Sequence, residues 1–329
     1  MGMRKLAGSR RGLLVAGAAA LAMPARAQPA WPARPVRLVV AFAAGGPADL
    51  VARIVAARLE PALGQPVVVE NRAGAGGQIG TEYVARAQPD GHTLLFTSSA
   101  AHGVGPALNP SQPYDAVRDF AHVGLVASGP VALLVAANSP FRTLADFVAA
   151  GRASVRPVPF GSGGNGSLGH LTGELAARSL DLPMQHVPYR GSAPAQADLL
   201  AGTIAAVSDN LSAHAELVRT GSLRALAVAS RARLPNFPDV PTYSEQGHPD
   251  LVAAAWFGVC GPAGLPAPVV ERLNSALRTI LVEAAMRERL LGLGLQAEGG
   301  PSAAEYATFV AGEVARWREV VRVAGVTAG

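Results

Sequence analysis

Short β-branched runs alternate with alanine-rich amphipathic stretches, and Gly or Pro stands at nearly every junction, which predicts an α/β protein with largely parallel sheets. With 329 residues, 50% of them hydrophobic and 16% charged, the chain exceeds what one core needs, so two domains are expected. The same composition excludes a disordered, fibrous or coiled-coil chain.

The expected strands are Val36–Phe42, Val67–Glu70, Leu94–Thr97, Val123–Val126, Leu133–Ala136, Val158–Phe160, Ala205–Ser208, Leu223–Val228 and Ala254–Val259, each an apolar run bounded by turn residues. The expected helices between them are Ala48–Leu63, Thr81–Ala87, Leu144–Ala150, Leu168–Ser179, Ala195–Ala201, Ala213–Thr220, Val269–Glu283 and Ala303–Val323. The last carries Tyr306, Phe309, Val310, Val314, Trp317, Val320 and Val321 near helical spacing, so it is expected to dock on a body. No Gly/Ser-rich linker separates two halves, so ordered crossovers are expected to join them.

The formal charge of +5 comes from the N-terminus: five of the 28 basic residues (Arg4, Lys5, Arg10, Arg11, Arg26) lie in the first 27 positions and no acid does, leaving 23 basic against 23 acidic groups. A neutral body with 5% aromatic residues offers no basic stripe for nucleic acid. That basic start precedes the apolar run Leu13–Met23 and then Ala25-Arg26-Ala27, an export signal with cleavage expected before Gln28. Ser9-Arg10-Arg11-Gly12-Leu13-Leu14 is similar to a twin-arginine signal, with ordinary secretion as the alternative. The apolar run is well short of the roughly 20 residues that span a bilayer, so the product is expected outside the cytoplasm and soluble.

Lys5 is the only lysine, so the mature chain can form no Schiff base and no Walker A loop. Cys260 is the only cysteine, which rules out an internal disulfide and a C-x-x-C pair; a small buried residue is expected. No G-x-S-x-G or H-E-x-x-H occurs, and the seven histidines are spread singly, so no catalytic set, metal or cofactor is expected.

Four loops remain, each following a strand and opening a helix, where backbone N–H groups and the helix dipole favour an anion. The first is Ala43-Ala44-Gly45-Gly46-Pro47-Ala48-Asp49, with Asp49 placed to cap the helix; a tight turn without ligand is the plainer reading. The second is Thr97-Ser98-Ser99-Ala100-Ala101-His102, which could equally be a solvated turn. The third, Gly161-Ser162-Gly163-Gly164-Asn165-Gly166-Ser167, has Ser167 as helix cap and suits a carboxylate. Its glycines also fit G-x-G-x-x-G, but Pro157 and Pro159 break the strand and only Asp181 stands near the distance of a ribose carboxylate. The fourth pairs Ser208-Asp209-Asn210 with Tyr189-Arg190-Gly191-Ser192; Arg190 is a forked donor for a carboxylate or a plain surface arginine, and Asp209 is expected to cap or to hold donors and water.

In order along the chain, Trp31-Pro-x-Arg-Pro-Val36, Phe42-Ala-Ala-Gly-Gly-Pro-Ala-Asp49, Glu70-Asn-Arg-x-Gly-Ala-Gly-Gly77, Gly161 to Ser167, Val187-Pro-Tyr-Arg-Gly-Ser-Ala-Pro194, Asp209-Asn210, Pro238-Asp-Val-Pro-Thr242 and Trp256-Phe-Gly258 through Pro262-Ala-Gly264 resemble the Bug family. These are periplasmic, TctC-like solute-binding receptors of tripartite tricarboxylate transport systems, and the resemblance covers essentially the whole mature chain. It implies a type II-like, two-lobed periplasmic-binding-protein fold with two chain crossovers at the hinge and the ligand in the interlobe cleft. Lobe 1 would be residues 28–128 plus 252–329, and lobe 2 residues 129–251.

The resemblance further implies a monomeric, non-enzymatic receptor that captures a small organic carboxylate and delivers it to membrane permease subunits. Presentation to a signalling partner is the alternative, and an exported hydrolase is the remote one. Carried over by position, Phe42, Ala43, Gly45, Gly46, Asp49, Ser98 and Ser99 would bind ligand from lobe 1, and Gly161, Ser162, Gly164, Asn165, Ser167, Tyr189, Arg190, Gly191 and Asp209 from lobe 2. The sequence departs from many relatives at Ala48, Gly163, Ala101 and Arg190, where they carry Thr or Ser, Ser, Thr and Lys, so the ligand's identity is not inherited.

Overall fold

The computed structural model describes residues 1–2 and 31–326; the expected cleavage point before Gln28 lies outside them. β1 (Val36–Val40) is buried on nearly every residue and lies between β2 (Val67–Asn71) and β3 (Thr93–Ser98), all three parallel. Between them run α1 (Pro47–Leu63), which starts with Pro at its first position and ends on the left-handed Gly64, and α2 (Gln78–Ala85). A π-helical turn, Ser99–Val104, and the short α3 (Gly105–Leu108) follow β3.

β4 (Phe120–Ala136) is one 17-residue strand where two separate strands were expected. Gly129 and Pro130 read as a break, because proline cannot donate to a ladder. They fall instead where β4 changes partners. Residues up to Pro130 pair with β9 (Ala254–Pro262), whereas Val131 to Ala136 lie between β7 (Ala206–Asn210) and β8 (Leu223–Val228).

The second half adds α4 (Leu144–Ala153), opened by a Thr143/Asp146 capping box, then β5 (Val158–Ser162), α5 (Leu168–Ser179), β6 (Met184–Pro188), α6 (Ser192–Leu200) and α7 (Leu211–Arg219). β5 lies parallel between β6 and β7. The chain returns through Ala253, whose N–H donates to the Ala229 carbonyl and whose carbonyl accepts from Val131 N–H. After β9 come α8 (Ala267–Leu281), α9 (Ala284–Gly292), the two-residue β10 (Gln296–Ala297) against β4, and α10 (Ala303–Ala324) with a Ser302/Glu305 capping box.

The result is a two-domain α/β fold with helices on both faces of each half-sheet. Leu38, Phe96, Val259 and Leu273 anchor one face of the first half, and Val39, Leu95 and Trp256 the other. Cys260 is fully buried there, and burial pushes its thiol well up. In the second half, Leu133, Phe160 and Leu171 fill one face, and Leu134, Leu199 and Val207 the other.

α10 serves both halves. Tyr306, Val310 and Val314 pack with Val39 and Trp256, whereas Trp317 packs with Val131, Phe160 and Leu171. Where it passes the crossover, Glu313 Oε2 accepts the indole N–H of Trp256 and that of Trp317, both at 3.0 Å. Both indoles are buried, so Glu313→Ala strands two donors and should cost about 2–4 kcal/mol in urea denaturation, whereas Glu313→Gln, which keeps an acceptor, should cost less.

Candidate functional site

The pairing registers decide where the loops stand. Ser98, the last residue of β3, is opposite Phe257, and Phe257 is opposite Ala127 of β4. Asn210, the last residue of β7, is opposite Val131. β4 runs in the direction of β3 in the first half and against β7 in the second, so the carboxyl ends of the two sets of parallel strands point at each other. These two positions, Ala127 and Val131, are four steps apart on β4, a distance of about 13 Å along the strand. All four expected loops therefore flank one cleft, at the carboxyl edges where α/β sheets present ligand-binding turns.

On the first side, Phe42 is half-buried, Ala43 and Gly45 are exposed, and Gly46 caps α1 with its backbone only. Asp49 is not the cap expected from sequence; it lies in the first turn and folds the loop back. Its carboxylate accepts the Gly45 N–H at 2.9 Å, the Arg53 Nε–H at 3.0 Å and the Asn71 amide at 2.9 Å, and Asn71 also donates to the Phe42 carbonyl at 3.1 Å. The Arg53 hydrogen bond, helped by those from Gly45 and Asn71, outweighs burial and holds the Asp49 carboxyl down at about 2. Gly45, at φ +82°, takes a conformation that a side chain would strain. Phe42 stacks under Gly77, where a Cβ would meet its ring at 3.0 Å.

Ser98 and Ser99 are both buried, and Ser98 Oγ has no protein partner. His102 is a satisfied core histidine on Thr97 Oγ1, and burial holds its ring down to about 3.

On the second side, Gly161 and Ser162 are buried, and Asn165 is exposed at the turn. Ser167 caps α5 as expected, accepting the His170 N–H at 3.1 Å. Gly164 and Gly166 hold φ +135° and +69°. The Gly191 N–H donates to the Gly163 carbonyl at 3.2 Å, joining the loop to the start of α6. A Cβ on Gly163 would lie 3.8 Å from Ser192 Oγ and 4.0 Å from Asp209 Oδ1, so these three meet.

Asp209 is buried, accepting from Asn210 N–H at 2.8 Å and facing His214 Nε2 at 3.2 Å, an internal holding role. Tyr189 donates its hydroxyl to Asp198 at 2.7 Å and lays its ring on Gly161; burial, and then Asp198, push it up to about 12. Arg190 is exposed. The two sides touch where a Cβ on Gly166 would meet Leu108 Cδ1 at 2.6 Å.

Sequence reasoning gave no role to Asn71, Arg53 or Leu108, whereas Ser192 stands in the fourth loop it singled out. Only Asn71 carried a signal, as an amide at a strand end beside a glycine-rich turn. Two open surface cavities, of about 650 Å³ beside Arg219 and Phe237 and about 670 Å³ beside Arg37 and Tyr83, are lined by none of the expected ligand residues.

A carboxyl depressed in the folded protein stabilises it above its ordinary value of 3.8, and that contribution is lost as pH falls toward about 2. Asp49→Asn should therefore lower stability at pH 7 and remove part of the fall in melting temperature between pH 4 and 2, measured by circular dichroism.

Residues 51–326 match the model of the TctC family, described as the tripartite tricarboxylate transporter family receptor. The chain is 39% identical to the Bordetella pertussis protein BugT over 311 residues, 93% of this chain and 94% of that one. Among solved structures, the Rhodopseudomonas palustris protein Rpa4515 with adipate has a TM-score of 0.79 at 35% identity, covering 90% of this chain and 99% of that one. MatC from the same organism, with bound malate, has a TM-score of 0.74 at 35% identity, covering 88% of this chain and all of that one. The family-model match over residues 51–326, with 39% identity to BugT and the two-domain periplasmic-binding-protein fold shared with the solved relatives along nearly the whole chain, makes this chain a member of the tripartite tricarboxylate transporter receptor family.

Proposed function

We propose that the mature chain, cleaved before Gln28, is a periplasmic, non-enzymatic receptor that captures a small organic carboxylate in the cleft and delivers it to membrane permease subunits. The register that faces Ser98 toward Asn210, four positions apart along β4, carries this reading. The adipate and malate in its structural relatives support a carboxylate as the ligand class.

The lobes we assign are residues 28–128 plus 252–329 and residues 129–251, with the hinge at Gly129–Pro130 and Ala253–Ala254. Every carboxylate of the loops is already engaged: Asp49 by Arg53, Asn71 and Gly45, and Asp209 by His214 and Asn210. A bound acid therefore meets N–H groups and hydroxyls, with Ser98 Oγ the buried hydroxyl left to receive it.

In a thermal-unfolding panel of mono-, di- and tricarboxylates on residues 28–329, a ligand at about 100 times its Kd should stabilise by roughly 2.7 kcal/mol and raise the midpoint by a few degrees. No shift with any acid contradicts the reading. Ser98→Ala should weaken the stabilising acid by about 3- to 10-fold in calorimetry and leave the melting point of the free protein unchanged, because only a ligand uses that hydroxyl.

A further inference from the structure

The glycine-rich loop of the second half rests on two histidines that approach each other in space. His170, on α5, and His186, on β6, stack with ring centroids 3.6 Å apart and planes 10° from parallel. His170 Nδ1 accepts the Gly166 N–H at 3.0 Å. Ser162 Oγ lies 2.7 Å from His186 Nε2 and also receives the Gly164 N–H and the Ser167 hydroxyl, each at 3.2 Å.

Counting protons favours the neutral form of both rings. His170 Nδ1 can accept only when it carries no proton. The two lone pairs of Ser162 Oγ are taken by the Gly164 and Ser167 donors, so its own proton goes to His186 Nε2 or to the Gly164 carbonyl at 3.1 Å. A proton on His186 Nε2 would add a third donor to that oxygen. A proton on His170 Nδ1 would face the Gly166 N–H donor to donor. Two imidazolium ions at 3.6 Å would also repel.

We propose that His170 and His186 are positioning residues that hold the loop from Gly161 to Ser167 in its ligand-accepting shape only while both rings are neutral, so that the cleft's affinity for a carboxylate falls as its surroundings acidify. This rests on the receptor reading above and adds a regulation to the same site.

Burial lowers the affinity of the His170 ring for a proton; burial, and then the His170 charge, push His186 down to about 4. Because both lie below the ordinary histidine value of 6.5, the neutral, loop-holding state is complete above that pH and is lost as pH falls toward about 4.

The charged groups around the pair do not reverse this. Glu174 Oε1 is 3.8 Å from His170 Nε2, but burial raises its carboxyl against the pull of Arg178, which weakens it as a counter-charge. From β7, Asp209 is engaged by His214 and Asn210. From α10, Glu319 pairs with Arg322, and Arg178 donates to the Val323 carbonyl. β5 and residues 131–136 of β4 bring no titratable side chain.

The test is calorimetry of adipate and malate binding to residues 28–329 between pH 7.5 and 4, with ligand ionisation measured separately, on the wild type and on His170→Asn, whose amide oxygen can accept but takes no proton in this range. If only the neutral state binds, apparent Kd rises by the inverse of that state's population. The wild type should bind at least twofold more weakly at pH 4 than at pH 7.5, because His186, pushed down to about 4, is then half protonated, and His170→Asn should lose less affinity than the wild type over that range, whatever its affinity at pH 7.5. A flat wild-type profile, or a variant with the wild-type slope, overturns the proposal.

Nuclear magnetic resonance of the ligand-free wild type gives a readout that needs neither variant nor ligand. The Gly166 amide should shift with the midpoint of the His170 ring, and an amide that ignores the ring also overturns the proposal. No binding at any pH, with that amide still following the ring, would instead overturn the carboxylate reading and with it the claim on affinity.

Discussion

Everything at the cleft depends on the continuity of β4. One strand pairs with β9 as far as Pro130 and with β7 and β8 from Val131 onward, so the two half-sheets share a backbone ladder instead of a flexible tether. Because the strand keeps its direction, the carboxyl ends of β3 and β7 must face each other. Gly129 fits this passage sterically, since a Cβ there would lie 2.8 Å from Leu295 and 2.9 Å from the Gly294 carbonyl. The join is then spanned by Glu313, which ties Trp256 on β9 to Trp317 at the second half's core. The proposed hinge and this strap lie side by side, so on that proposal movement of one half against the other would act on the β4 passage and the Glu313 bonds together.

The site's electrostatics follow from what its own charges are already doing. A buried carboxylate with no partner would repel an anionic ligand and cost several kcal/mol of desolvation. Asp49 and Asp209 avoid this by accepting hydrogen bonds from the loops they brace, which turns negative charge into loop rigidity. Positive potential is then left to backbone N–H groups at the starts of α1, α5 and α6. On the proposed reading such a site would recognise the carboxylate group itself, and the departures at Ala48, Ala101 and Gly163 would leave fewer hydroxyls to select among acids.

Much of this was legible in the sequence, for reasons that also explain the misses. The loops stood out because Gly, Ser and Asn clusters follow apolar β-branched runs, and α10 stood out because its apolar spacing is helical. β4 was split because Gly129-Pro130 opposes strand continuation locally, and only pairing with the partner strands on either side of it overrides that preference. β6 was missed because Met184–Pro188 is half-exposed and lacks a β-branched run; α9 was missed because only Met286 and Leu290 of its nine residues are buried. Asp49 was placed as a cap because it follows Gly-Gly-Pro, whereas the helix starts two residues earlier. The His170–His186 stack lies beyond any local pattern, since parallel pairing of β5 with β6 is what brings the two rings together.

The most direct test of the account is a crystal structure of residues 28–329 grown with adipate or with the acid that most raises the melting point. The account predicts one ligand between the two carboxyl edges, with carboxylate oxygens within about 3.2 Å of N–H groups from both the Ala43–Asp49 and the Gly161–Ser167 loops. A ligand bound at either outer cavity, or held by one loop with Ser98 Oγ still unpartnered, would contradict it.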